Sequence, residues 1–348
     1  MAAALELGEI EQKAIDDLGL RRIETSELTI ERVAANEGFQ YVRDGKRAVS
    51  RRDLKRIAEL VIPPAWSDVR IACDSDSHLQ AVGRDEAGRL QYIYHSSWDD
   101  VRAAAKAFRL QQLGQALPSL RPAVEEHLTK DSAHLPLAAA ARLVDLLHLR
   151  AGHETYAGDE GGRGVATLLK RHVQIDGASF RLNFRGKGGK RIDKTHADPA
   201  LAEVLAELRR IRGPRLFKLK TKDGYRPMTA ADLNAYLTEV SGKPITAKDF
   251  RTLFASAAAL DRLCSLDAVD SAAKRRGIIA EIAREISLEL ANTPAIARKS
   301  YIHPLIISKF ETCELEGFSN ARARAGLTPA ESKLMRFFET HTIDTTQA

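Results

Sequence analysis

The pattern of apolar and polar positions changes about a hundred residues into the chain. Before that point, alternating runs bounded by turn residues predict β-hairpins, one around Asp44-Gly45 and another around the turn Asp85 to Gly88. After Trp98 the apolar residues recur at helical spacing over most of the remaining length. The pattern therefore predicts an α+β fold, with a small β-rich N-terminal domain over residues 1–97 and a larger, mainly helical domain over residues 98–348.

One β-hairpin is predicted inside the helical part. Residues 179–185 alternate like a strand, a glycine-rich turn carries Lys187, and a second strand returns. The spacing of a phosphate-binding P-loop is absent, and a hairpin follows the glycines where a P-loop has a helix. Charge is concentrated here, which suits contacts with phosphates. Six cations stand against one acid, Asp193: Arg181, Arg185, Lys187, Lys190, Arg191 and Lys194.

The N-terminal hairpin that ends near His95 presents two different faces. Gln91 and Ile93 point to one face of its second strand, and Tyr92 and Tyr94 point to the other. The residues alone allow two interpretations, either tyrosines packed on a small sheet or a polar surface that lies in a groove of DNA.

Composition narrows the class of protein. Of 348 residues, 44% are hydrophobic and 29% charged, which is typical of a globular chain long enough for two domains. No apolar run is long enough for a membrane span, and the start lacks the basic region of a signal peptide. Three scattered cysteines argue against a disulfide scaffold or zinc site and favour a reducing cytoplasm. The net charge of +6 hints at a polyanionic partner.

Several motifs in order resemble the type IB DNA topoisomerases, specifically the small bacterial and poxvirus-like group. The resemblance covers residues 35–315, and its N-terminal part is carried by Ile62-Pro-Pro-Ala-Trp66 and by residues 83–94. The motifs of the helical part are Leu149-Arg-Ala-Gly-His-Glu-Thr-Tyr156, Thr167-Leu-Leu-Lys-Arg-His-Val173, Phe184-Arg-Gly-Lys-Gly-Gly-Lys190, Thr246-Ala-Lys-Asp-Phe-Arg251 and Asn292-Thr-Pro-Ala-Ile-Ala-Arg-Lys-Ser-Tyr-Ile-His-Pro304.

The resemblance implies a catalytic set and a DNA-contacting set. Tyr301 is implied to be the nucleophile, and Arg150, Lys187 and Arg251 the catalytic cations. Asn292 occupies a position at which poxvirus enzymes carry His and bacterial relatives often carry Asn, so its role is expected in a weaker form. The residues expected to contact DNA are Arg84, Arg89, Gln91, Tyr92, Tyr94, Tyr156, Arg185, Lys190 and Lys248.

The implied chemistry explains these residue types. A tyrosine has a pKa near 10, so it needs nearby cations to attack a phosphate at neutral pH. Two guanidiniums can clamp the oxygens of the transition state, and Lys187 can protonate the leaving 5′-oxygen. Such a constellation uses no metal, cofactor or ATP. The family implies a monomer that closes two domains around double-stranded DNA, in the cytoplasm and associated with the nucleoid.

Two alternatives remain. A tyrosine site-specific recombinase uses the same chemistry, but it usually carries His three residues before the second Arg, where this chain has Lys248. A recombinase also has a helical N-terminal domain, whereas this chain predicts hairpins there. The second alternative, a DNA-binding module without catalysis, leaves the combination of Tyr301 with three cations unexplained.

Overall fold

The computed structural model describes most of the chain as two compact units. One ends at Ala105 and the other begins at Lys106. The described residues are 7–43, 45, 49–129, 132–156, 161–267, 269–315, 318 and 322–341. The first unit is built on a sheet and the second is mainly helical, so the predicted α+β class is confirmed. The predicted domain boundary at residue 97 falls at the start of a long helix and stays a prediction.

The N-terminal unit contains an antiparallel sheet of five strands in the order β2-β1-β3-β4-β5. The predicted hairpin around Asp85 to Gly88 is present, because β4 pairs with β5 and the Gly88 amide donates to the Asp85 carbonyl across 2.8 Å. The strands are β1 (Ile30–Ala34), β2 (Phe39–Arg43), β3 (Ser67–Ile71), β4 (Leu79–Arg84) and β5 (Leu90–Tyr94).

The other predicted hairpin differs. Strand β2 pairs with the preceding strand β1, whose strand character the alternation did not indicate. Asp44 and residues 46–48, which the predicted turn and second strand required, lie outside the described residues. Two helices accompany the sheet, α1 (Leu7–Asp17) and α2 (Arg51–Glu59), and Ser50 caps α2 by accepting from the Asp53 amide across 3.1 Å.

The C-terminal unit packs its helices around α7 (Ala247–Cys264). Small residues along α7, including Ala255, Ala257 and Ala259, are buried and allow the neighbouring helices to approach closely. The other helices are α3 (Trp98–Glu126), which begins in the N-terminal unit, α4 (Leu135–Leu147), α5 (Pro199–Arg210), α6 (Ala230–Ser241), α8 (Ala272–Glu289), α9 (Pro294–Ile296), α10 (Pro304–Glu311) and α11 (Pro329–His341).

Two small antiparallel sheets complete this unit. The predicted hairpin with Lys187 at its tip is present as β7 and β8, with β6 added at the edge beside β7. The strands are β6 (Val173–Asp176), β7 (Ser179–Arg185), β8 (Arg191–Ala197), β9 (Lys218–Thr221) and β10 (Gly224–Pro227). Short 3-10 helices of the chain are Thr25–Glu27, Glu154–Tyr156, Val165–Thr167, Lys170–His172 and Lys187–Gly189.

A partly buried ion cluster ties three helices of this unit together. Arg121 on α3 pairs with Asp145 on α4 across 2.8 Å and with Glu331 on α11 across 2.8 Å. Burial alone raises the pKa of Glu331, but hydrogen bonds from Arg121 and Thr328 outweigh it and hold that pKa below its usual value. Separately, no helix in the described part of the chain has both the length and the apolar character to cross a membrane.

Candidate active site

Four of the five predicted catalytic residues meet around the Tyr301 hydroxyl. Arg251 lies in the second turn of α7, and Asn292 follows the end of α8. Arg150 follows the end of α4, and Tyr301 lies between α9 and α10. The helices that carry or precede these residues therefore direct one tyrosine, two guanidiniums and one amide to a common point.

An irregular helical turn presents Tyr301. Thr293 caps the start of this segment, since its hydroxyl accepts from the Ile296 amide across 3.3 Å. The chain then widens into a π-turn, Ala297–Tyr301, closed by the Ile302 amide donating to the Ala297 carbonyl across 3.0 Å. Turns of this kind occur often at functional sites, and here the turn ends on the candidate nucleophile.

Arg251 is held rigidly beside this tyrosine. It is 3% exposed, and its Nε donates a long hydrogen bond of 3.4 Å to the Tyr301 hydroxyl. Its Nη1 donates to the His148 carbonyl, and its Nη2 donates to the Leu290 carbonyl across 2.9 Å. Burial lowers the pKa of Arg251 from its usual high value. Two backbone carbonyls thus fix the orientation of the guanidinium. Because carbonyls are uncharged, they leave its positive charge unneutralised.

The electrostatics around Tyr301 favour its ionised form. Burial, the largest single influence, raises the pKa of Tyr301. The charge of Arg251 and its hydrogen bond, the charge of Arg150 and the Asn292 amide together outweigh burial, so the pKa lies below its usual value. A phenol that ionises more easily than a free tyrosine is a better nucleophile at neutral pH.

Arg150 and Asn292 form a pair at the edge of this pocket. The Nη2 of Arg150 donates to Oδ1 of Asn292, which leaves the amide nitrogen facing away from Arg150. That Nδ2 is buried and makes no hydrogen bond of normal geometry with a described residue, although it lies near enough to the Tyr301 hydroxyl to favour the ionised phenol. A buried donor without a partner is costly, so this nitrogen suits an acceptor that arrives with a substrate.

Close backbone packing places Arg150. His148 ends α4 in the left-handed region with φ 55°, and Gly152 follows with φ 84°. A Cβ on Gly164 would lie 2.4 Å from the Arg150 carbonyl oxygen. The Val165 amide donates to that same oxygen across 2.8 Å. Only glycine therefore fits at position 164, where the segment 161–164 passes the Arg150 backbone.

The same segment also touches the turn that carries Lys187. A Cβ on Gly162 would lie 2.6 Å from the Lys187 Cα, and the Arg163 amide donates to the Arg185 carbonyl across 2.9 Å. Lys187 itself is exposed, and it makes no hydrogen bond or ion pair with the part of the chain that is described. The structure thus does not bring the Lys187 amine into contact with the four-residue cluster.

The basic hairpin is less open to phosphates than its sequence indicates. Arg181 pairs with Asp193 across 2.6 Å, and Arg191 lies 3.5 Å from the same carboxylate. Lys194 donates to the Leu147 carbonyl across 3.0 Å. Three exposed cations have no ion pair with a described residue, and all lie at or beside the turn: Arg185, Lys187 and Lys190.

In the N-terminal unit, two of the predicted DNA-contacting residues bind one carboxylate, and the others make different contacts. Arg89 and Gln91 both bond Asp85, at 2.8 Å each, and the hydrogen bonds from Arg89 hold the pKa of Asp85 below its usual value. Arg84 lies 3.5 Å from Asp68. Tyr92 stacks on Tyr94 with ring centroids 6.1 Å apart.

Two further predicted contacts complete the set. Lys248 is exposed in the first turn of α7. Tyr156 ends the 3-10 helix Glu154–Tyr156, and its side chain lies outside the described part of the structure. No group of three or more side chains able to hold a metal occurs among the described residues.

Three residues that hold the site together were not predicted from the sequence. His148 supplies the carbonyl bound by Arg251, and burial lowers the pKa of its imidazole to about 3. Ser256 and Lys106 bond the main chain next to Tyr301. Its position directly before the motif that begins Leu149-Arg150 was the one sequence signal that could have identified His148. Nothing in the pattern around Ser256 or Lys106 marks them out.

Comparisons with known proteins agree with this geometry. The family model for the catalytic core of eukaryotic DNA topoisomerase I matches residues 95–324. The model for the N-terminal domain of bacterial DNA topoisomerase IB matches residues 38–85. Nothing in these matches favours the recombinase alternative.

Individual relatives point the same way. DNA topoisomerase 1B of Acanthamoeba polyphaga mimivirus is 31% identical over 277 residues, which cover 75% of this chain and 81% of the relative. DNA topoisomerases 1 beta and 1 alpha of Arabidopsis thaliana are each 25% identical over 61% of this chain and 23% of their own length. Because the catalytic-core model matches more than half of the chain, and the viral relative is covered over most of its length, this chain belongs to the type IB DNA topoisomerase family.

Proposed function

We propose that this chain is a type IB DNA topoisomerase that relaxes positive and negative supercoils without ATP or a metal ion, with Tyr301 as its nucleophile. The observation that carries the proposal is the convergence of Arg251, Arg150 and Asn292 on the Tyr301 hydroxyl. Family membership supports double-stranded DNA as the substrate. The expected monomeric state and association with the nucleoid are further parts of the proposal.

Cleavage begins with attack of the Tyr301 oxygen on one phosphorus atom of the backbone. A bond forms between that oxygen and phosphorus, and the bond from phosphorus to the 5′-oxygen breaks. The phenol proton leaves to solvent, and the lowered pKa of Tyr301 eases its loss. Religation is the reverse reaction, and the 3′-phosphotyrosyl bond retains the energy of the phosphodiester. No ATP is therefore consumed.

The transition state gathers negative charge on its non-bridging oxygens. Arg251 is fixed by two carbonyls, so its guanidinium is already oriented before the substrate arrives. The unpartnered Nδ2 of Asn292 supplies a neutral donor beside it. Donors placed in advance around such oxygens contribute about 10²–10³ each to the rate.

The leaving 5′-oxygen must take up a proton. Lys187 is proposed as the general acid. The segment 161–164 packs against both the Arg150 backbone and the turn that carries Lys187, so this turn lies beside the segment that carries Arg150. The exposed amine of Lys187 has no partner among the described residues, so it is available to a bound strand. Arg185 and Lys190 flank it and suit contacts with neighbouring phosphates.

A plasmid assay with a matched variant tests the proposal. The chain and its Tyr301→Phe variant are incubated with negatively and with positively supercoiled plasmid, in EDTA and without ATP. Relaxation of both by the native chain and of neither by the variant is the expected result. Relaxation by the variant would reassign the nucleophile. Exchange between paired recombination sites without relaxation would restore the recombinase alternative.

A further inference from the structure

The main chain on the C-terminal side of Tyr301 is held by two side chains from other helices. Ser256 on α7 is fully buried, and its hydroxyl donates to the Tyr301 carbonyl across 3.1 Å. The same hydroxyl accepts from the His303 amide across 3.1 Å. Between these two groups, the Ile302 carbonyl accepts from Lys106 Nζ across 2.9 Å. Two side chains thus hold three successive residues through three hydrogen bonds.

Lys106 reaches this carbonyl because of how α3 packs on α7. Arg109, one turn further along α3, forms an ion pair of 2.6 Å with Asp249 in the first turn of α7. Arg109 and Lys106 are three residues apart and lie on one face of α3. The ion pair to α7 and the hydrogen bond to Ile302 therefore hold this face at two points.

The surroundings of Lys106 are unusual for a lysine. It is partly buried and has no ion pair with a carboxylate of the described residues. Burial, followed by the neighbouring charge of Lys248, lowers its pKa to about 7. A lysine that only filled space would cost less as an apolar residue, because a buried amine loses hydration. Among the described residues, its hydrogen bond to the Ile302 carbonyl is the interaction that offsets this loss.

We propose that Lys106 is a positioning residue for the nucleophile, which fixes the main chain after Tyr301 through its bond to the Ile302 carbonyl. This inference rests on the proposed role of Tyr301. Tyr301 lies at the end of a π-turn that is closed by a hydrogen bond from the Ile302 amide to the Ala297 carbonyl. Ile302 therefore takes part both in this hydrogen bond and in the one from Lys106. Loss of the Lys106 bond frees this region to rotate, and the hydroxyl then samples directions away from the phosphate.

The test compares binding with chemistry. Lys106→Met removes the donor at similar length, and Lys106→Arg keeps a donor. The rate of covalent adduct formation is measured in single turnover on a duplex oligonucleotide that cannot religate, and affinity is measured for the same duplex in a Tyr301→Phe background. We expect Lys106→Met to slow adduct formation by about 10–100-fold, as a displacement of roughly 1 Å does, with the dissociation constant unchanged. Lys106→Arg should recover most of the rate.

A matched control separates positioning from stability. Lys218 is also buried, its burial lowers its pKa, and its Nζ donates to the Ile211 carbonyl across 2.9 Å. Lys218→Met should lower the melting temperature and leave the rate of adduct formation unchanged. If Lys106→Met does not fold, Lys106→Gln replaces it under the same criteria.

The outcomes are distinct. An unchanged rate in Lys106→Met, a loss explained by weaker binding, or an equal loss in Lys106→Arg would each overturn the inference. An adduct that still forms with Tyr301→Phe would instead overturn the proposed nucleophile, whatever the Lys106 variants show.

Discussion

Arg251 approaches Tyr301 in two ways at once, with its Nε 3.4 Å from the hydroxyl oxygen and its guanidinium carbon 4.9 Å from the centroid of the ring. The cation therefore interacts with both the face and the polar end of one phenol. Such an arrangement stabilises the phenolate and restricts the rotation of the ring.

The planar guanidinium of Arg251, and not its charge alone, should be required for cleavage. Arg251→Lys keeps the charge but cannot reach Tyr301, the His148 carbonyl and the Leu290 carbonyl together. We expect single-turnover cleavage to slow by about 10²–10³. The free energy of unfolding should also fall by about 1–3 kcal/mol, because a buried carbonyl loses its hydrogen-bond donor. Arg262→Lys, in the same helix but paired with Glu289 at the surface, serves as the control. A native cleavage rate in Arg251→Lys would show that charge alone suffices.

Asn292 allows charge and hydrogen bonding to be separated. Asn292→Asp keeps the acceptor that binds Arg150, removes the free Nδ2 donor and adds a negative charge beside the phosphate. We expect cleavage to fall by about 10² or more, and by more than in Asn292→Ala, because the new charge opposes both the phenolate and the transition state. Asn234→Asp is the control, since Asn234 accepts from the Ala247 amide away from Tyr301. Faster cleavage with Asp than with Ala would contradict a donor role.

The pH dependence of cleavage should report the ionisation of Tyr301. Since nearby cations lower its pKa, the rate should rise with pH and level off below the usual value of about 10. Arg150→Gln removes one of these cations, so the midpoint should move upward. The measurement is single-turnover cleavage across pH, together with the difference in phenolate absorbance between the native chain and Tyr301→Phe. A midpoint at or above that of free tyrosine would refute the electrostatic argument.

The glycine segment gives a steric prediction. Gly164→Ala places a Cβ against the Arg150 carbonyl, and the Arg150 backbone must move. We expect a loss of about 10–100-fold in cleavage, with smaller changes in DNA affinity. Gly277→Ala, in α8 with open space around it, is the matched control and should gain about 0.5–1 kcal/mol of stability without affecting cleavage. Equal activity of both variants would show that Arg150 tolerates displacement.

The partly buried ion cluster of Arg121, Asp145 and Glu331 should make the free energy of unfolding depend on pH. Arg121→Met leaves Asp145 and Glu331 without their cation and should cost about 3–5 kcal/mol at neutral pH. Because the folded pKa of Glu331 lies below its unfolded value, its stabilising contribution is present above about pH 4.3 and is lost as the pH falls through the lowered pKa. The difference between the native chain and Arg121→Met should therefore shrink on acidification.

Denaturant unfolding across pH measures this difference. Arg284→Met is the control, because Arg284 pairs with Glu281 on the exposed surface of α8 and should show no such dependence. A stability difference that stays constant down to acid pH would indicate that Arg121 acts through packing alone.

The sequence predicted those parts of the site that depend on residue type and order. The α+β class, the β7–β8 hairpin and the group of Tyr301, Arg251, Arg150 and Asn292 followed from motifs with local signatures. The roles of Ser256 and Lys106 did not, because they depend on contacts between segments that are distant in the chain. Strand β1 was also missed, although it pairs with the neighbouring strand β2. The pairing of Arg181 with Asp193 also escaped prediction, since counting charges along a strand does not show which of them neutralise one another.

The π-turn that ends at Tyr301 limits which mutations this part of the chain can accept. A regular α-helix advances by about 100° per residue, and a π-turn accommodates one extra residue in a single turn. Deleting any residue from 297–300 would produce a more regular helix and rotate the tyrosine by roughly a quarter of a turn away from Arg251. This short stretch should therefore tolerate substitution far better than any change in its length.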